Sequence, residues 1–151
     1  MDIIYSVVRN GDPGDTEKPR NTRFDKTVSL KFPVSDLENA KFKRHYLLNK
    51  DSLNASSITN YLTMIFRYAL KHHELINQNI VYKSSKIYKT IKINQVEKNM
   101  LSGAYGLTIT WCSNSDRKTI HRMMISMLNY LDRGGQINVD EVQPIRPVKH
   151  L

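Results

Sequence analysis

The residues of this chain best suited to chemistry are cations, and they come in groups. Arg117, Lys118 and Arg122 stand close together, with His121 among them. If a helix begins there, its backbone amides and these guanidinium and ammonium groups converge on an anion such as a phosphate. The competing reading is a solvated polar face. Lys83, Lys86, Lys89 and Lys92 recur at every third residue, with Tyr82 and Tyr88 interleaved. Lysines meet phosphates without regard to sequence, and tyrosine rings stack on unpaired bases. A solvent-facing strand whose lysines discourage edge-to-edge aggregation explains the same pattern. Lys41, Lys43, Arg44 and Lys50 form a further basic ridge, and Arg20 and Arg23 lie upstream of it. The candidate nucleic-acid or anion-binding set is therefore Arg20, Arg23, Lys41, Lys43, Arg44, Lys83, Lys86, Lys89, Lys92, Arg117, Lys118 and Arg122.

Other reactive residue types carry less. His72 and His73 are adjacent, so on a helix they point about 100° apart and do not chelate one ion; solvation of a helix end accounts for them. Cys112 has no neighbour in sequence that would make a catalytic dyad, and a small, half-buried strand residue is the reading it supports. A phosphate-binding glycine loop, a dinucleotide fingerprint, a paired-histidine zinc helix and a paired-cysteine motif are all missing. No catalytic residue, metal ligand or cofactor is assigned, and a non-enzymatic role is expected. A small nuclease would need His45, His72 or His121 to meet a carboxylate in a cleft.

Charge points the same way as the grouping. Twenty-three Lys and Arg stand against fourteen Asp and Glu, a formal +9 over 151 residues. Such an excess predicts a polyanionic partner: RNA or ribonucleoprotein, or anionic lipid headgroups. One cysteine forms no internal disulfide and suits a reducing compartment. No apolar run approaches the roughly 20 residues of a bilayer span, and the opening MDIIYSVV lacks the basic region and cleavage site of a signal peptide. A soluble, intracellular, non-secreted protein is expected.

The elements that must position these cations follow from periodicity. Leu107, Ile109 and Trp111 alternate with Thr108, Thr110 and Cys112, which predicts a strand. Ser113, Asn114 and Ser115 are candidate N-caps. Ile120, Met123, Met124, Met127, Leu128 and Leu131 then make one apolar stripe, ended by Gly134-Gly135, so a helix is predicted over Asp116–Asp132. A second strong helix, over Ser56–His73, carries Ile58, Tyr61, Leu62, Ile65, Phe66, Ala69 and Leu70 on one face. Val28, Leu30 and Phe32 alternate with Thr27, Ser29 and Lys31 in a strand ended by Pro33. Ile3 to Val8 suggests an earlier strand, and Ile80 to Ile93 a hairpin bent at Ser84-Ser85. Between Asp36 and Lys50 a capping box (Ser35, Glu38) favours a helix, while alternating Phe42, Arg44, Tyr46 and Leu48 favour a strand. Asn94 to Tyr105 reads as a connection. The expected architecture is a single α+β domain over 1–151: a mostly antiparallel sheet with the two main helices on one face. A mobile segment near 10–23 and an extended tail over 136–151 complete it. The tail's few apolar residues suggest packing on a neighbouring subunit, hence a homo-oligomer.

The stretch GAYGLTITWCSNSDRKTIHRMMISMLNYL, with TVSLKFPV and SITNYLTMIF before it, resembles the small matrix proteins of nonsegmented negative-strand RNA viruses, of bornavirus and rhabdovirus type. The resemblance implies a non-enzymatic virion protein that self-associates beneath a membrane and binds anionic lipid and RNA or nucleoprotein, in the host cytoplasm. The PPxY and PTAP budding motifs of many such proteins are missing. The same end of the chain is similar, more distantly, to viral double-stranded-RNA-binding silencing suppressors. There a pair of tryptophans is expected, and here Trp111 stands alone.

Overall fold

The computed structural model describes residues 26–147; the strand expected at Ile3–Val8, the segment 10–23, Arg20 and Arg23 lie outside them. The first strand, β1 (Val28–Val34), pairs antiparallel with β2 (Ile87–Ile93), Val28 opposite Ile93 and Val34 opposite Ile87. Contrary to expectation, β1 runs through Pro33. The amide of Lys92 points away from β1, donating to Thr63 Oγ1 at 2.9 Å, so the Ser29–Lys92 pair is a non-hydrogen-bonded one. Pro33, four residues on and opposite Tyr88, shares that phase, and its missing N–H was never needed by the ladder. Pairing ends where Ser85 Oγ donates to Val34 O (2.6 Å) and accepts from Ile87 N (3.1 Å). Ile80 to Lys86, expected as the first arm of a hairpin, is therefore irregular.

Helix α1 (Asp36–Asn49) resolves the ambiguous segment. Ser35 Oγ accepts from Glu38 N and Glu38 Oε1 accepts from Ser35 N, at 3.1 and 2.8 Å, so two donors of the first turn are satisfied reciprocally. Its core contribution is small: Phe42 and His45 are buried, whereas Leu37, Leu47 and Leu48 are exposed. Helix α2 (Ile58–Lys71), capped by Ser57, is the centre of the molecule. Its predicted stripe is buried from Tyr61 to Leu70, with Ile58 only partly so, and Thr63, Met64, Arg67 and Tyr68 on the other side are buried as well.

Two further helices replace expected strand and loop. Asn94 and Glu97 make a second capping box, which starts α3 (Gln95–Ser102) in what read as a connection. The alternating run after Gly106 is one helical turn, α4 (Leu107–Thr110), not a strand. Among the described residues no third strand lies alongside to complete a ladder, and the turn satisfies the backbone locally: Thr110 N bonds to Gly106 O (3.0 Å), Trp111 N to Leu107 O (2.8 Å). Cys112 closes it with φ of 55°, exposed rather than half-buried in a sheet. Helix α5 (Asp116–Asp132) follows as predicted, capped by Ser115, and ends at Gly134 with φ of +86°.

The fold is thus α+β, but the expected mostly-sheet architecture is corrected to a mainly helical one with a two-stranded sheet. Helix α2 lies against β2 and α5 against β1, and the two helices pack on each other. Phe32, Phe66, Ile91, Ile93, Met123, Met124 and Met127, all fully buried, meet in this core.

The segment after Gly135 folds back on its own chain as far as the described residues go. Val142 is fully buried, and Ile137 and Ile145 pack on the core. A buried ion pair holds the segment. Arg67 Nε meets Glu97 Oε2 at 2.6 Å, Arg67 Nη1 donates to Val142 O (3.3 Å), and Ile145 N donates to Glu97 Oε2 (3.0 Å). Among the described residues no helix is long and apolar enough to cross a membrane.

Candidate nucleic-acid interface

The N-terminal turns of α5 carry three of the predicted cations, and each lies over an aromatic ring from another part of the chain. Arg117 is 5.2 Å from the ring centre of Tyr88 on β2, Lys118 is 5.7 Å from that of Tyr82, and Arg122 is 5.7 Å from that of Trp111. Arg122 also donates to Gln78 Oε1 at 2.8 Å. The cap sets this arrangement: Ser115 fixes the start of the helix, and Arg117, Lys118 and Arg122 then project toward the segment from Gln78 to Tyr88. Each exposed cation–π contact is worth about 0.5–1 kcal/mol. None of the three cations forms an ion pair among the described residues. The one acidic residue of that turn, Asp116, is held by Lys98 (3.2 Å) and by the Thr108 hydroxyl (2.8 Å).

Beside these contacts a cleft of about 550 Å³ is lined by Ser29, Lys31, Tyr82, Ser115 and Arg117, over a floor of Leu30 and Ile120. Lys31, on the outward face of β1, was missing from the sequence-derived set. Its outward phase was legible, but nothing in the sequence tied it to Arg117. Trp111 and Gln78 were likewise unmarked, since their role depends on where α4 and the 77–82 segment come to rest.

The lysine ladder divides. A strand repeats every two residues, so a spacing of three alternates sides. Tyr88 and Lys92 are exposed, while Lys89 lies half-buried in line with Ile87, Ile91 and Ile93. Burial, and the nearby Lys43 ammonium, lower the pKa of Lys89. Lys83 and Lys86 precede β2, in the irregular segment, and are exposed.

The α1 ridge divides as well. Lys41 and Arg44 reach Asp132 at the far end of α5 (3.1 and 3.9 Å), together with His45 at 2.7 Å. Burial raises the Asp132 pKa, but the hydrogen bonds from His45 and Lys41 outweigh it, and the carboxyl titrates lower than usual. These cations fasten α1 to α5. Lys43 remains exposed beside Lys89.

All three histidines that a nuclease would need do come near carboxylates. His45 joins Asp132, and His72 joins Glu141 (2.7 Å) and Glu74 (3.2 Å) while stacking on Tyr68 at 4.2 Å. His72 is thus more than a solvated helix end. Burial lowers its pKa, yet the bonds to Glu141 and Glu74 outweigh that and raise it. His121 also lines a cleft. Its imidazole is 4% exposed, lies edge-on to Tyr82 at 5.1 Å, and shares a pocket of about 300 Å³ with Glu38, Asn79 and Lys83. Burial lowers its pKa, Glu38 opposing and Lys83 assisting. Among the described residues no group of three or more His, Cys, Asp or Glu could hold a metal ion. Compared with protein families, curated proteins and solved structures, the chain matches none.

Proposed function

We propose that this chain is a non-enzymatic binding protein whose ligand is RNA, bound along the cleft between β1, the 78–88 segment and the start of α5. The observation that carries this reading is the set Arg117–Tyr88, Lys118–Tyr82 and Arg122–Trp111. Rings and cations meet along one surface, and among the described residues no carboxylate forms an ion pair with any of the three cations. Phosphates answer the charges, and unpaired bases stack on the rings and guanidinium planes. Binding of a labelled single-stranded RNA, followed by anisotropy across a salt series, tests it. Affinity should fall roughly three-hundredfold between about 50 and 200 mM salt if about six phosphates of a single strand are contacted. Arg117→Ala should weaken binding and flatten the salt slope by about one contact. Salt-independent binding, or none at low salt, refutes the reading.

A second reading, the matrix-like one, has its own support in α1. Leu37, Leu47 and Leu48 are 65%, 63% and 70% exposed, and Lys43 and Arg44 flank them. Exposed apolar side chains beside cations of this kind suit contact with an anionic membrane surface. Under this reading the protein self-associates and binds anionic but not neutral vesicles. Flotation with both vesicle types, beside the RNA titration, separates the two. A silencing suppressor would instead select duplexes of one length and ignore vesicles.

A further inference from the structure

The pocket lined by His121 adjoins the proposed RNA path, because the His121 ring meets Tyr82 edge-on at 5.1 Å. Three of its features point to a ligand with a polar edge. The His121 imidazole is almost wholly buried, yet neither ring nitrogen has a hydrogen-bond partner among the described residues. The Glu38 carboxylate uses Oε1 to accept from Ser35 N, leaving Oε2 without a partner among the described residues. Asn79 adds a side-chain amide and Lys83 an ammonium, while Ile80 and Ile125 supply apolar wall. The pocket therefore offers one carboxylate acceptor at Glu38, with donors at Asn79 and Lys83 and apolar wall around them.

From this arrangement we infer that the pocket takes a guanine base turned out of the strand, its N1–H and N2–H donated to the Glu38 carboxylate and its O6 received by Lys83 or by His121. The choice among bases follows from their edges. An ionised carboxylate only accepts. Guanine alone offers two adjacent donors on its Watson–Crick edge. Adenine and cytosine place a ring-nitrogen acceptor beside their amino group, which would face the carboxylate with like polarity. Uracil sets one donor between two carbonyls. Unpaired bases are read through these edges in single-stranded RNA generally. The volume, about 300 Å³, accommodates one purine. This inference rests on the RNA reading above, and it adds a sequence preference that phosphate and stacking contacts do not give.

The test uses the full chain with octamers of otherwise identical sequence carrying adenosine, guanosine or inosine at one central position. Guanosine should bind roughly tenfold more tightly than adenosine, at the lower end of discrimination by a good bidentate contact. Inosine, lacking the N2 amino group, should fall between them. Glu38→Gln keeps the cap, because glutamine also serves at this position of a capping box. It should erase the guanosine preference, so that guanosine and adenosine RNA bind alike. Free GMP against AMP, followed by the imidazole proton signals of His121, reads the pocket alone. A GMP-specific shift without RNA binding would uphold the pocket and sink the strand reading. RNA binding that ignores the central base, with no GMP shift, would overturn the pocket and leave the strand reading standing.

Discussion

Replacing Arg67 by methionine puts the tail and the core at risk through one bond. Arg67 and Glu97 are 9% and 0% exposed at their side chains and 2.6 Å apart. Methionine keeps most of the apolar stem of Arg67 but leaves a buried carboxylate with only the Asn94 and Ile145 amides as partners. Removing one member of a buried pair costs about 3–5 kcal/mol, chiefly for the charge left behind. The lower figure applies because two amide donors remain, so a loss of about 3 kcal/mol is expected, from a total of roughly 5–15 kcal/mol for a domain. In urea, with a slope of about 1.5 kcal/mol per molar, the midpoint should fall by about 2 M. Hydrogen exchange should quicken at Val142 and Ile145, whose carbonyl and amide are tied to the pair. Glu97→Gln in the Arg67→Met background removes the stranded charge and preserves the acceptor for Asn94 N. The double variant should therefore be more stable than the summed single losses by at least about 1.5 kcal/mol, a coupling typical of contacting residues. Single losses that add to within about 0.5 kcal/mol would refute the account. So would an Arg67→Met loss below about 1 kcal/mol, well short of a broken buried pair.

Three more perturbations have defined outcomes. His72 has its pKa raised in the folded state, so its contribution is complete below its ordinary value and is lost as pH rises through the folded one. Between pH 6.5 and 8 the melting temperature should drop more in the wild type than in Glu141→Gln, and equal drops would show that the His72–Glu141 bond is idle. His121 has the opposite sign: it is held neutral, so acidification through its lowered folded pKa should destabilise the wild type and spare His121→Phe. Gly135→Ala would place a Cβ 2.5 Å from the ring of Tyr130, which is itself bonded to Gln136 O at 2.7 Å, and should cost about 1–3 kcal/mol by chemical denaturation.

Strong stripes were legible in the sequence, and weak ones were not, for a physical reason. Helices α2 and α5 bury a continuous face, so hydrophobic period and burial coincide at Leu62, Phe66, Met124 and Leu128. Helix α1 buries little besides Phe42 and His45, and its exposed Leu47 and Leu48 blur any helical stripe. Its capping box was the better guide, because that signal reports backbone satisfaction at the helix start and not burial. The same signal, Asn94 with Glu97, was present at α3 and outweighs the polar look of that segment. Alternation misled at Leu107–Cys112. Alternation reports which residues want water, whereas a strand also requires a partner for its ladder, and none lies alongside among the described residues.

The cations show how far residue type alone reaches. Lys41 and Arg44 share the charge of Lys118 and Arg117, yet the first two are committed to Asp132 and the others to aromatic rings. The difference decides what each pair does to the field outside. A carboxylate cancels a cation, whereas an aromatic quadrupole holds it in place and leaves its full charge to act on solvent. Cations at the start of a helix oppose its dipole at a few tenths of a kcal/mol each. Contacts worth about 0.5–1 kcal/mol offset that cost without neutralising anything. The folded protein therefore tolerates an uncancelled positive cluster at the mouth of the cleft, and a phosphate arriving there would relieve the opposition that the rings only balance.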